Sequence, residues 1–148
     1  MHILIILTVL LVIAIILLSR KKKHPPIPTI GSKYEKEISE REFESLVIEQ
    51  SKTTPVLADF YAKWCPPCQL LTPMLAELAE EYSGSFLLAK IDMDENPKLK
   101  NHFGISAYPT VALFKGGEPV ASFTGGRLEH TIRYKLAEHG IQATRDAR

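Results

Sequence analysis

The stretch Val56-Leu57-Ala58-Asp59-Phe60-Tyr61-Ala62-Lys63-Trp64-Cys65-Pro66-Pro67-Cys68 decides how this chain is read. Val56 to Tyr61 is apolar and β-favouring apart from Asp59, a run suited to a buried central strand. The segment from Trp64-Cys65-Pro66-Pro67-Cys68 onward enters a helix that extends to about Tyr82. Leu71, Met74, Leu75 and Leu78 line one face of it, and Pro73 is expected to kink it. A C-x-x-C pair where a strand ends and a helix begins has a physical use. The helix start offers unpaired N–H groups and a positive dipole end, both of which stabilise a thiolate. The thiolate is the attacking species in thiol–disulfide exchange. Cys65 at the helix entrance reads as the exposed nucleophile, and Cys68 one turn in as the thiol that resolves the mixed disulfide. Pro66 and Pro67 stiffen the turn and remove two N–H donors.

Working outward, Ser39-Glu40-Arg41-Glu42 has the pattern of a capping box, followed by Phe43, Leu46, Val47 and Gln50 on one helical face. A short strand over 34–38 precedes it. Downstream, 86–91 reads as a second buried strand. Asn96 reads as the cap of a short helix with Pro97 in its first position, ending near Gly104. Residues 110–114 and 120–124 form two strands around Gly116-Gly117, a hairpin signal. Residues 128–139 form a last amphipathic helix stopped by Gly140. The order is βαβαβαββα, which predicts an α/β fold. Its sheet is mixed, parallel at first, with helices on both faces.

Composition narrows the function. The chain has two cysteines, Cys65 and Cys68, and a formal charge of +1 over 148 residues. A disulfide-scaffolded secreted domain would carry more cysteines at wider spacing. A zinc site would need further ligands; there is no second cysteine pair, and His102, His130 and His139 lack ligand spacing. Arg20 to Lys23 form a local basic run. The 18 Lys and Arg residues less those four leave 14 against 17 acidic, so no basic face for nucleic acid is expected.

The N-terminus is read as a separate unit. Ile3 to Leu18 is almost wholly Ile, Leu, Val and Ala, and residues 1–19 are expected to be a single-pass transmembrane anchor. A cleavable signal peptide would place its positive charge before the apolar run and small residues after it, the reverse of this pattern. Residues 20–33 form a basic and Pro-rich linker (HPPIPTIG over 24–31), 34–141 the catalytic domain and 142–148 a tail. The positive-inside rule puts the domain in the cytoplasm; the alternative is an extracytoplasmic domain.

The residues 58–68, with Pro73, Lys90-Ile91-Asp92, Tyr108-Pro109-Thr110 and Gly125, resemble the thioredoxin family over roughly 34–141. The resemblance implies the thioredoxin fold and a catalytic set of Cys65, Cys68, Asp59 and Lys90. Asp59 would be the buried carboxylate that exchanges a proton with Cys68, with Lys90 near it. Pro109 would be the cis-proline beside the cysteines, and the backbone of Tyr108 would pair with an extended substrate. Trp64, Pro66, Pro67 and Gly125 complete the substrate-binding surface. No cofactor is implied beyond the redox-active Cys65–Cys68 disulfide, and no metal. Partners would be protein disulfides, plus a thioredoxin reductase or a membrane electron donor, because no nucleotide-binding motif is present.

Two positions depart from the family pattern: Pro-Pro stands between the cysteines where Gly-Pro is usual, and Tyr108 precedes the cis-proline where an aliphatic residue is common. Both touch the reactive sulfurs, so the direction of exchange stays open. The leading expectation is a protein-disulfide reductase. The alternatives are an extracytoplasmic oxidase, isomerase or cytochrome-maturation reductase, and a tethered binding module without catalysis.

Overall fold

The computed structural model describes residues 2–18, 31–127 and 129–144. Most of the linker, Leu128 and the end of the tail lie outside them.

β2 (Val56–Tyr61) has every side chain buried, Asp59 included, as expected of a central strand that is apolar at its other five positions. It sits in the middle of a five-stranded sheet with β1 (Glu35–Glu37), β3 (Leu87–Asp92), β4 (Thr110–Lys115) and β5 (Glu118–Thr124), in the order β1-β3-β2-β4-β5. β3 runs parallel to both β1 and β2, whereas β4 is antiparallel to β2 and β5 to β4. The mixed sheet, parallel first, is therefore as expected. β1 is shorter than the predicted run.

Alternation along the strands sends side chains to two cores. Leu57, Leu88, Val111 and Leu113 meet Leu71, Leu75 and Leu78 of α2 (Pro66–Glu81) and Ile132 and Leu136 of α4 (Glu129–Glu138). On the other face Phe60, Ile91 and Phe114 meet Phe43, Val47 and Leu99, the last from α3 (Pro97–His102). Phe43 packs against Phe60, Phe103 and Phe114 with ring centroids 5.2–6.2 Å apart.

Two local readings are corrected. Glu42 does reach back to the Ser39 N–H (3.0 Å), but Ser39 Oγ donates to the same carboxylate instead of capping a helix. The helix that follows is irregular: wide π-type turns over Glu44–Glu49 run into a tight 3₁₀ turn over Gln50–Lys52. Asn96 does not cap α3 with its side chain. Its Oδ1 instead accepts from the Glu40 N–H (2.6 Å), and its Nδ2 donates to the Asp92 carbonyl (2.8 Å), tying two loops together.

The N-terminal expectation is met in part. A helix does form, α1 (His2–Leu18), with the apolar side chains from Leu4 to Ile15 exposed. It has 17 residues. Residues 1 and 19–30, on either side of it, lie outside the described residues. No helix among the described residues is long and apolar enough to cross a membrane.

Candidate active site

β2 ends at Tyr61, and the chain turns through Ala62 to Trp64 into α2. Cys65 is the N-cap residue of that helix, in extended conformation. Pro66 and Pro67 occupy the first helical positions and carry no N–H, so Cys68 supplies the first free donor. That N–H points at Cys65 Sγ, 3.3 Å away. The two sulfurs are joined in a disulfide, with Cα atoms 5.3 Å apart. Cys65 was expected to be exposed. It is only 3% exposed and Cys68 is fully buried, because Tyr61, Ala62 and Tyr108 pack around the pair.

Exposed side chains flank the cysteines. Trp64 is half exposed, packs edge-on against Tyr108 (centroids 5.7 Å apart), and donates its indole N–H to Asp94 at 2.8 Å. Pro66 and Pro67 are exposed beside it. The Tyr108–Pro109 peptide bond is cis. The Pro109 carbonyl accepts the Gly125 N–H at 2.8 Å, which holds the end of β5 against the proline. Gly125 has φ +85°, a conformation that favours glycine. The candidate residues Trp64, Cys65, Pro66, Pro67, Cys68, Tyr108, Pro109 and Gly125 thus come from three separate loops.

Asp59, on β2 and six residues before Cys65, is entirely buried. Burial pushes its carboxyl up to about 7, against the opposing pull of a hydrogen bond from Thr72 and the charge of Lys90. Thr72 Oγ1 donates to Asp59 Oδ2 at 2.6 Å, and Oδ1 has no hydrogen-bond partner among the described residues. Thr72 is four residues after Cys68 on α2, the spacing that stacks two side chains on one helical face. The carboxyl group is therefore tied to the face of α2 that carries the second cysteine. Sequence reasoning passed over Thr72; its i+4 relation to Cys68 was the available signal.

Lys90 is in register with Asp59 across β2 and β3. Its ammonium, however, pairs with Glu35 Oε2 at 3.1 Å, with both side chains about 95% buried. Glu35 was also missed, since it lies 55 residues upstream and reaches Lys90 only through the β1–β3 pairing. Among the described residues no three His, Cys, Asp or Glu side chains are grouped as a metal site.

The family model for thioredoxin matches residues 35–138, a span that includes every residue of this site. The chain belongs to the thioredoxin family. A thioredoxin of Chlorobaculum thiosulfatiphilum is 36% identical over 103 residues, covering 70% of this chain and 94% of that protein. A thioredoxin of Alicyclobacillus acidocaldarius is 43% identical over 84 residues, 57% of this chain and 80% of that one. The bifunctional thioredoxin reductase/thioredoxin of Mycobacterium leprae matches at 38% over 102 residues, 69% of this chain and 22% of that one. Membership of the thioredoxin family, with a cysteine pair that closes into a disulfide, makes the chain a disulfide oxidoreductase.

The raised carboxyl gives a stability prediction. Asp59 has a folded pKa of about 7 against 3.8 unfolded, so the folded state holds the proton more tightly. Stability then falls as pH rises from 3.8 to about 7, and the penalty is constant above that. Asp59→Asn removes it. The variant is expected to gain up to about 4 kcal/mol over the parent above pH 7 and nothing below pH 3.8, as read by urea unfolding across that range. A second prediction concerns Thr72. Thr72→Val deletes a hydrogen bond that favours the charged carboxylate, so the Asp59 midpoint should rise by about one unit in a carboxyl NMR titration.

Proposed function

We propose that the chain reduces protein disulfides by a dithiol–disulfide cycle at Cys65 and Cys68. The observation that carries this reading is the Cys68 N–H directed at Cys65 Sγ from the first turn of α2. In the reduced protein the same donor and the helix dipole stabilise a Cys65 thiolate. That thiolate attacks one sulfur of a substrate disulfide, a mixed disulfide forms, and the other substrate sulfur leaves as a thiolate and takes a proton from solvent. Cys68 then gives its proton to the Asp59 carboxylate, and its sulfur attacks Cys65 Sγ. The second substrate thiolate leaves, and Cys65 and Cys68 end as the disulfide. Two electrons pass to the substrate in each cycle.

A carboxyl with a midpoint of about 7 suits this step, because it can both accept and release a proton near neutral pH. Trp64, Pro66 and Pro67 offer a docking surface, and the Tyr108 backbone beside Pro109 receives an extended substrate segment as an added strand. Lys90 acts on Asp59 through its charge, which favours the ionised form. The resting disulfide is returned to the dithiol by a two-electron donor. A thioredoxin reductase fits, as the fused reductase/thioredoxin of Mycobacterium leprae suggests, and a membrane electron donor is the alternative.

Membrane association forms part of the same proposal. The side chains from Leu4 to Ile15 are apolar and exposed, and Arg20 to Lys23 follow directly in sequence. Burying such a helix in lipid is favourable by about 25 cal/mol per Å² of apolar surface, and the basic run is attracted to anionic headgroups. By the positive-inside rule the domain faces the cytoplasm.

Two experiments test these readings. Cys68→Ser is expected to accumulate mixed disulfides on Cys65, and Cys65→Ser to lose insulin reduction by at least about 10³-fold, the scale of losing an activated nucleophile. No accumulation on Cys65 would overturn the role assignment. On cell fractionation the full chain is expected in the membrane fraction and the chain lacking residues 1–19 in the soluble one. Labelling with an impermeant maleimide is then expected to miss Cys65 in intact cells even after reduction. A soluble full chain would overturn the membrane proposal, and labelling of intact cells would move the domain outside.

A further inference from the structure

Asp59 is a carboxyl group buried within reach of several charges, and each of those charges has another partner. On β1, the Glu37 carboxylate accepts the Tyr61 hydroxyl, whose proton is held firmly by burial and by that bond. On β3, Asp92 is 2.8 Å from Lys63 Nζ, an ion pair that raises the lysine's pKa. Lys90 pairs with Glu35, as described above. On β4, the neighbour of Asp59 in register is Val111, which is apolar. From α2 the group that meets it is the neutral Thr72, one turn after Cys68. The result is a buried carboxyl group whose only hydrogen bond among the described residues comes from Thr72, although a lysine stands in register beside it on the next strand.

Glu35 is held for the task of taking up that lysine. Its Oε1 accepts the backbone N–H groups of Gly31 (2.9 Å) and Ser32 (3.1 Å), where the chain enters β1. The other oxygen, Oε2, has no polar partner among the described residues but the Lys90 ammonium. The carboxylate is therefore fixed by the backbone on one side and offered to Lys90 on the other.

We propose that Glu35 is a positioning residue of the exchange reaction: it draws the Lys90 ammonium toward β1, so that Asp59 keeps a proton to trade with Cys68. This rests on the proton role proposed for Asp59. A lysine released from Glu35 can swing across the β2–β3 register to the open Oδ1 of Asp59 and hold the carboxylate in its charged form. A charged neighbour at contact distance lowers a carboxyl pKa by about one to three units.

The test is a carboxyl titration of Asp59 by NMR in the full chain, beside the pH profile of insulin reduction. Glu35→Gln keeps the shape and the bonds to Gly31 and Ser32 without the charge. It is expected to lower the Asp59 midpoint by about one unit or more and to move the pH profile the same way. Glu35→Asp, which keeps the charge, should restore most of the native midpoint. The double variant Glu35→Gln with Lys90→Met removes both charges, so it avoids a lone buried ammonium and remains measurable if the single variant fails to fold. Its midpoint is expected to stay within about one unit of the native one, any shift being upward, because the residual pull of Lys90 on Asp59 is removed together with the Glu35 charge that draws it away. An unchanged midpoint in Glu35→Gln, or a fall of about one unit in the double variant, overturns the proposal. If Asp59→Asn reduces insulin as fast as the parent at every pH, the proton role itself is lost, and this proposal with it. A slowed Asp59→Asn with an unmoved Glu35→Gln would sink the positioning role alone.

Discussion

The site depends on β2 running from the middle of the sheet directly into the first turn of α2. β2 is hydrogen-bonded to β3 on one edge and to β4 on the other, and each of its side chains is buried. A slip of one residue would exchange its two faces and turn Asp59 away from α2 into the cluster around Phe43 and Phe114. Because the strand is held on both edges, the point where the chain leaves the sheet is held too. Cys65 becomes the N-cap of α2 at that point, and the Cys68 N–H meets its sulfur.

The same packing sets the electrostatics around Asp59. A carboxylate in an apolar interior is costly unless it is paired, and the ordinary response is to bind a proton. Thr72 supplies one hydrogen bond, which offsets only part of the desolvation, so Asp59 settles near neutrality. The charges around it are divided among private pairs: Lys90 with Glu35, Lys63 with Asp92, and Glu37 with the Tyr61 hydroxyl. Buried pairs of this kind contribute little net stability, and their clearer effect is to decide where each charge points.

Much of the molecule was legible residue by residue. The run of Val56 to Tyr61, apolar but for Asp59, matched a strand with the same limits, and the Gly116-Gly117 dipeptide joined β4 to β5 as expected. These signals are local, resting on side-chain period and backbone freedom. Reading failed where a polar side chain had a choice of partner. Asn96 had the chemistry of a helix cap but bonds instead to Glu40 and to the Asp92 carbonyl, across 56 residues in the first case. Lys90 had the position of a partner for Asp59 but pairs with Glu35. At the N-terminus, composition marked an apolar helix, and a helix over His2–Leu18 is what the described residues hold.

The sequence by itself determined the order of elements, the two faces of the sheet, the helix start at the cysteine pair and the reactive chemistry of Cys65 and Cys68. Each follows from spacing within a few residues, where backbone geometry leaves little choice. Tertiary structure alone decided how deeply the cysteines sit, that Thr72 bonds Asp59, and that Glu35 takes Lys90. Those outcomes depend on which groups from distant segments share one desolvated space. In that space, distances of a few tenths of an ångström and the lack of water select a single partner for each charge.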